Sequence, residues 1–223
     1  MPSNANVTLT NPLDMHLHLR DGDMLRTVAP LSAQSFSGAI VMPNLVPPVT
    51  TKADVRAYRE RILQAIGEAT FKPYMTLFFK SDYDYDFLAD VRDDITAIKL
   101  YPAGITTNSE GGVTGFDIDT LRPTLEAMRE LDIPLCVHGE TGGFVMDREK
   151  EFASIYAALA EAFPKLTIVM EHIRQSQRGV AGALRQSFRH HNASSSLHHA
   201  RRCCRRYVTA ASFLQTHSQT SRR

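Results

Sequence analysis

Two histidines, His16 and His18, stand one residue apart in the stretch "DMHLHLRDGD", residues 14–23, and Arg20 follows at the same spacing. The stretch belongs to an apolar run that favours a β-strand, and a strand turns alternate side chains to the same face. His16 and His18 would then project together, with Arg20 at the strand end. Two imidazoles on one face can chelate a divalent metal such as zinc. Because H-x-H also arises by chance, an ordinary pair of structural histidines is the alternative.

Three later residues with polar, metal-capable side chains also lie at the ends of apolar segments. Lys99 ends "ITAIK", His138 ends "IPLCVH", and His172 ends "LTIVMEH". In a (β/α)₈ barrel the carboxyl ends of the strands form the face on which active sites are built. Taken singly, each has an ordinary explanation, such as a buried histidine bonded to backbone or a lysine that reaches solvent. Together with the first pair they predict one metal site.

Lys99 has a particular chemical property in such a site. A protonated ammonium group would be repelled by two divalent cations. A neutral lysine amine, however, can take up carbon dioxide and become a carbamate, which is anionic and offers two oxygens. The carbamate could bridge two metals as a carboxylate does.

The order of elements up to residue 173 predicts a parallel sheet. Near-continuous apolar strands that alternate with helices are typical of sheets covered on both faces. Repeated βα units give either a doubly wound sheet or a (β/α)₈ barrel. The predicted strands are 13–19, 38–42, 73–79, 95–100, 133–137 and 166–170, and the predicted helices are 50–66, 121–131 and 152–163.

The net charge of +1 hides two different parts of the chain. All 24 acidic residues lie in 1–173, whereas 174–223 hold ten arginines and no Lys, Asp or Glu. We therefore expect a barrel body over 1–173 and a basic tail over 174–223. The tail is expected to be either the product of a shifted reading frame or disordered. The tail lacks the βα pattern of a seventh and eighth unit. Ten arginines could neutralise phosphates, but no motif that reads RNA or DNA accompanies them, so nucleic acid is not the expected partner.

Composition also bears on the cellular compartment. The apolar runs are too short to span a bilayer, and the first residues, "MPSNANVTLT", lack a signal-peptide profile. Three cysteines, two of them adjacent, make no disulfide framework. The expected location is the cytoplasm, without a membrane partner.

Five stretches together resemble a known family. They are "DMHLHLRDGDML", "VMPNLVPPVTT", "IKLYPAGITTNSEGGVT", "PLCVHGE" and "FPKLTIVMEHI", within residues 8–173. This combination is similar to the dihydroorotases of the bacterial single-function class (class II), which belong to the binuclear amidohydrolase superfamily. The resemblance implies a (β/α)₈ barrel of the TIM type, of which this chain shows six βα units before the tail.

The resemblance also implies a metal centre. His16 and His18 would bind the more buried of two zinc ions, and His138 and His172 would bind the second. Lys99, as its carbamate, would bridge both ions.

The implied substrate is a small molecule, and the implied reaction is the reversible cyclisation of N-carbamoyl-L-aspartate to dihydroorotate in pyrimidine synthesis. Arg20 and Asn44 would hold the substrate carboxylate. Thr106 and Thr107 lie in a segment that resembles the mobile loop of the family, which closes over substrate. The family's proton-shuttling aspartate on strand eight has no counterpart, since no acidic residue follows Glu171. No catalytic residue is therefore assigned.

Two alternatives stay open beside a dihydroorotase. One is a metal-binding remnant without catalysis, which the missing aspartate favours. The other is an enzyme for a different cyclic amide, as in hydantoinases. A homodimer is also left open.

Overall fold

The structure is a computed structural model, and it describes residues 8–173. Six parallel strands form one sheet in sequence order, each pairing with the next. The strands are β1 (Leu13–Leu17), β2 (Gly38–Val41), β3 (Lys72–Phe78), β4 (Ala97–Leu100), β5 (Leu135–Val137) and β6 (Ile168–Met170). The helices are α1 (Gly22–Ser35), α2 (Lys52–Ile66), α3 (Tyr85–Val91), α4 (Ile118–Glu130) and α5 (Arg148–Ala162), and a short 3₁₀ helix (Arg92–Asp94) follows α3.

Every predicted strand and helix occurs, with ends shifted by a few residues. Helices α1 and α3 were not predicted. Pro30 lies inside α1 and interrupts its helical sequence pattern. The helix nevertheless forms, and Asp21 caps its first turn by accepting from the Gly22 amide. Only Leu25 and Ala29 of α1 are buried, so the sequence shows little apolar periodicity from which a helix could be predicted. Helix α3 has seven residues, too few to show helical periodicity.

Helix α2 shows how local sequence fixes one of these units. Thr51 Oγ accepts from the Asp54 amide at 3.1 Å, and the Asp54 carboxylate accepts from the Thr51 amide at 2.9 Å. This capping box satisfies two amides that a helix start otherwise leaves unpaired. The predicted apolar face is buried, since Tyr58 and Ile62 have no exposed surface. Burial of the Ile62 side chain contributes about 1.5–3 kcal/mol.

The central strands β4 and β5 are buried on both faces, whereas the edge strand β1 is only half-buried. All four residues of β4 are buried, including Lys99, whose exposed fraction is zero. Lys99 is in register with Phe78 on β3 and with Cys136 on β5. Helices pack outside, and the sheet curls so that its inner face closes around the ends of β1 and β6. The fold is therefore α/β of the TIM-barrel type, with six strands within residues 8–173 where a closed barrel has eight.

The predictions for residues 174–223, and for the first seven residues, lie outside the described part of the chain. Over residues 8–173, none of the helices combines the length and the apolar character that crossing a membrane requires.

Candidate metal centre

The end of β1 places the two histidines of the H-x-H motif. His16 lies within β1, and His18 follows the strand directly. The pairing of β1 with β2 is irregular between Asp14 and Leu17, and Asp14 accepts a hydrogen bond from the His16 amide at 2.9 Å. Irregularities of this kind re-aim side chains near functional sites. Here the two ring Nε2 atoms face each other at 3.1 Å.

The other two predicted histidines join this pair in one cluster. The ring centres of His16 and His172 are 5.1 Å apart, and those of His138 and His172 are 4.6 Å apart. His172 has a φ of 39°, in the left-handed region that residues with a side chain rarely occupy. Such strain is often found at functional sites. The structure thus brings together the four imidazoles, supplied by β1, β5 and β6.

Lys99 approaches this cluster from β4. Its Nζ is in direct contact with the carboxylate of Glu171 and lies 4.9 Å from the centre of the Tyr101 ring. The opposite oxygen of the Glu171 carboxylate lies 2.9 Å from His16 Nδ1. Lys99 is therefore connected to the histidine cluster through Glu171.

Burial keeps three of the four imidazoles uncharged, those of His16, His18 and His172. It lowers the pKa of His16 to about 4, and the charge of Lys99 acts in the same direction. Burial, followed by the charges of His16 and Arg20, lowers the pKa of His18 to about 4. For His172, burial and Lys99 lower the pKa to about 3. At neutral pH these rings are neutral, which is the form that binds metals.

The pKa of Lys99 is subject to two opposing effects. Complete burial lowers this pKa to about 7. The adjacent Glu171 carboxylate favours the ammonium form and acts against that shift. Burial therefore makes the neutral amine of Lys99 more accessible than that of a lysine in water.

Arg20 lies at the end of the β1 segment with a φ of 60°. Its carbonyl oxygen accepts from the Tyr58 hydroxyl at 2.8 Å, which anchors the backbone. Its Nη1 atom is buried and has no hydrogen-bond partner within residues 8–173. A buried guanidinium nitrogen without a partner costs free energy unless a ligand satisfies it.

Asn44 follows β2 and is 1% exposed. Its Nδ2 donates to the Thr107 carbonyl at 2.8 Å, and Asn108 Nδ2 donates to the Asn44 carbonyl at 3.2 Å. The Thr106 amide donates to Ser109 Oγ at 3.0 Å, which closes a turn inside the loop. The loop that contains both predicted threonines is therefore held against Asn44, and the contact runs through the backbone of Thr107.

Glu171 is the residue of this site that sequence reasoning did not assign. In the sequence it is distinguished only as the last acidic residue of the chain. A weak signal existed, because Glu171 directly follows the apolar run "LTIVM" and so stands at a strand end, where active-site groups of such barrels gather. Glu171 is 5% exposed in the structure.

These residues fit a divalent metal such as zinc. Tetrahedral zinc with ligand nitrogens at about 2.0–2.1 Å places two of them roughly 3.3 Å apart. The 3.1 Å between His16 Nε2 and His18 Nε2 is close to that spacing. Ligand atoms of His16, Glu171 and His172 also lie within 4.8 Å of one another. Imidazole and carboxylate donors are the types that zinc accepts.

Comparison with known proteins assigns the class to which this fold and site belong. The model of the amidohydrolase family matches residues 13–175, and the chain belongs to that family. Within it, the chain is similar to dihydroorotases. A curated dihydroorotase from Ruegeria sp. (strain TM1040) is 45% identical over 201 residues, which is 87% of this chain and 57% of that protein.

Two solved structures extend the comparison. Dihydroorotase from Campylobacter jejuni has a TM-score of 0.76 and 56% identity, covering 82% of this chain and 55% of that one. Dihydroorotase from Saccharomyces cerevisiae, solved with 5-fluoroorotic acid, has a TM-score of 0.68 and 30% identity, covering 82% of this chain and 52% of that one. The family resemblance found in the sequence is confirmed. This chain spans about half the length of the relatives that it matches.

Proposed function

We propose that this site serves the dihydroorotase reaction, the reversible cyclisation of N-carbamoyl-L-aspartate to dihydroorotate. One observation carries the proposal. Four imidazoles and a buried lysine converge at the carboxyl ends of parallel strands, in a chain 56% identical to a dihydroorotase over 82% of its length. The substrate and the activity of the whole protein are part of the proposal.

The metal ligands are proposed to be the residues of this cluster. His16 and His18 would hold one zinc ion, because their Nε2 atoms face each other. His138 and His172, whose rings are adjacent, would hold the second. Zinc in such a site polarises a bound carbonyl and activates water.

Lys99 would supply the bridge between the two ions as a carbamate. The neutral amine attacks carbon dioxide, so an N–C bond forms while one C=O π bond breaks. One amine proton leaves to water, and the product is an N-carboxylate with a single N–H. The lowered pKa of Lys99 favours this step, because only the unprotonated amine is nucleophilic.

The substrate carboxylate is proposed to bind Arg20 and Asn44. Arg20 Nη1 is buried without a partner within residues 8–173, and a guanidinium matches a carboxylate with two parallel hydrogen bonds. Asn44 donates to the Thr107 carbonyl and so contacts the loop of Thr106 and Thr107 directly. Binding of a carboxylate could therefore be transmitted to the loop, which would shield the reacting bond from water.

The same groups bear on the hydantoinase alternative. Hydantoin itself carries no carboxylate, so it would leave Arg20 unsatisfied, whereas dihydroorotate would not. We therefore favour dihydroorotate.

A second function, metal binding without turnover, is favoured by one specific observation. No Asp or Glu follows Glu171 in the sequence, so the family's strand-eight aspartate has no equivalent within these 223 residues. Residues up to 173 are proposed to form the metal-binding body. We also propose a cytoplasmic location for the protein.

Metal and substrate binding test the proposed function independently of turnover. Zinc titration followed by calorimetry should show tight sites, and the zinc-loaded chain should then bind dihydroorotate but not hydantoin. His18→Ala should abolish one zinc site, whereas Tyr85→Ala, at an exposed position on α3, should change nothing. Failure of the intact chain to bind zinc through His18, or equal binding of hydantoin, would contradict the proposal.

A further inference from the structure

Glu171 occupies a position that no assigned role explains. It follows β6 directly, and its side chain is buried against two other strands. One carboxylate oxygen, Oε1, lies 2.9 Å from His16 Nδ1 on β1, and the other, Oε2, contacts Lys99 Nζ on β4. A single carboxylate thus links an edge strand to a central strand across the interior of the curled sheet.

The contact with His16 fixes which ring nitrogen carries the proton. A carboxylate can only accept, so His16 must donate from Nδ1. The lone pair then lies on Nε2, the atom that faces His18 Nε2 at 3.1 Å. Carboxylates that orient metal-binding histidines in this way raise the basicity of the ligand and hold its ring plane.

The contact with Lys99 would persist after carbamylation. The carbamate nitrogen keeps one N–H, which can donate to Glu171 Oε2 as the amine does now. The two carboxylate oxygens would therefore hold one ligand of the first metal and the bridging ligand of both.

Resting on the proposed function, we propose that Glu171 is a positioning residue that fixes the tautomer of His16 and the orientation of the Lys99 bridge. Direct ligation is the competing role, because atoms of His16, Glu171 and His172 lie close enough to share an ion. We favour positioning because both Glu171 oxygens already contact other side chains, and because His16 presents Nε2, not Nδ1, to its histidine partner.

The tautomer can be measured without metal or substitution. In the metal-free full chain labelled with ¹⁵N-histidine, His16 should show a protonated Nδ1 and an unprotonated Nε2 at neutral pH. His16→Gln would assign its resonances. A His16 ring protonated mainly on Nε2 would overturn the inference, whatever the variants of Glu171 do.

Cobalt titration then separates positioning from ligation. Glu171→Gln removes the charge and one acceptor, so we expect roughly 10–100-fold weaker metal binding. Its saturated cobalt absorption spectrum should keep the wild-type intensity, because the ligand number is unchanged. Glu161→Gln, an exposed change on α5, should bind like wild type, and Glu171→Asp, which keeps the charge, should recover part of the loss.

Each result has one consequence. Wild-type affinity in Glu171→Gln, or a cobalt spectrum whose intensity shows a changed ligand number, overturns the positioning role. If the wild-type chain binds no cobalt, the proposed function fails, whereas the His16 tautomer still decides the role of Glu171. Circular dichroism of Glu171→Gln verifies folding, and the tautomer measurement stands if that variant does not fold.

Discussion

The rings of His16 and His172 lie 5.1 Å apart, although the strands that lead to them, β1 and β6, form opposite edges of the sheet. Only a curled sheet can bring its two edges together in this way, and the twist and tilt of parallel strands supply that curl. The metal centre is therefore a contact between residues 156 positions apart in the chain, so its occupancy should affect the stability of the whole sheet.

Zinc should stabilise the fold measurably. A ligand that binds only the folded state adds about 2.7 kcal/mol at a free concentration one hundred times its Kd. Urea unfolding of the zinc-loaded and chelator-treated chain, monitored by circular dichroism, should show a difference of that order. The difference in the free energy of unfolding between the two forms should be smaller in His18→Ala. Equal unfolding midpoints with and without zinc would contradict a metal centre that joins the two edges.

Lys99→Arg should abolish the carbamate bridge, because it replaces the amine with a guanidinium. A guanidinium stays protonated in proteins and cannot form a carbamate. In chain equilibrated with ¹³C-bicarbonate, a carbamate carbon signal should be present in wild type and absent in Lys99→Arg, with a lower ratio of zinc to chain. Lys72→Arg, an exposed lysine at the start of β3, is the matched control. A carbamate signal that survives in Lys99→Arg would place the modification on another amine.

Much of the fold could be predicted from the sequence because the buried strands are short apolar runs with clear ends. The strand segments of β4 and β5, which bury every residue, show this directly. Helix α1 could not be predicted, because Pro30 lies inside it and its buried face is small. Its stability depends on packing against α2, a long-range contact that no local pattern reveals.

The site could be predicted in part because the ends of these strands are visible in the sequence. His16, His18, Lys99, His138 and His172 stand at strand ends, and parallel topology brings strand ends together. Glu171 was missed because its partners are distant: His16 is 155 residues away and Lys99 is 72. The partnerless Nη1 of Arg20 is likewise a property of packing, not of sequence.

Arg20→Lys should weaken binding of dihydroorotate by at least about tenfold, in line with the roughly 1.5–3 kcal/mol of a hydrogen bond to a charged group. Lysine keeps the charge but loses the planar pair of donors that matches a carboxylate. Calorimetry on the zinc-loaded chain measures the affinity, and Arg26→Lys, at an exposed position on α1, is the control. An unchanged Kd in Arg20→Lys would remove Arg20 from the substrate site.

The capping box of α2 should give a pH-dependent stability. Burial acts to raise the pKa of Asp54, but hydrogen bonds from Thr51 and Thr50 outweigh it and lower this pKa below its usual 3.8. The carboxylate therefore contributes stability that is fully present above pH 3.8 and is lost as the pH falls through the folded-state pKa. Asp54→Asn should lower the free energy of unfolding at pH 7, and the gap in this free energy between Asp54→Asn and wild type should narrow below pH 3.8. Thr51→Ala should lower the free energy of unfolding by about 0.5–2 kcal/mol. Urea unfolding at several pH values measures both, and a difference that grows on acidification would contradict the assignment.

The 223-residue chain, loaded with zinc, should turn over dihydroorotate more slowly than roughly one per second, the lower end of typical enzyme rates. A positioned general acid or base contributes about 10²–10⁴-fold in rate, and no Asp or Glu follows Glu171 to play the part of the family's strand-eight aspartate. Ring opening and ring closure should both be assayed, with His172→Ala purified in parallel to reveal any contaminating host enzyme. A rate within the range of ordinary enzymes that disappears in His172→Ala would contradict this prediction. It would mean that another group, such as a histidine of residues 174–223 or of a second subunit, supplies the missing base.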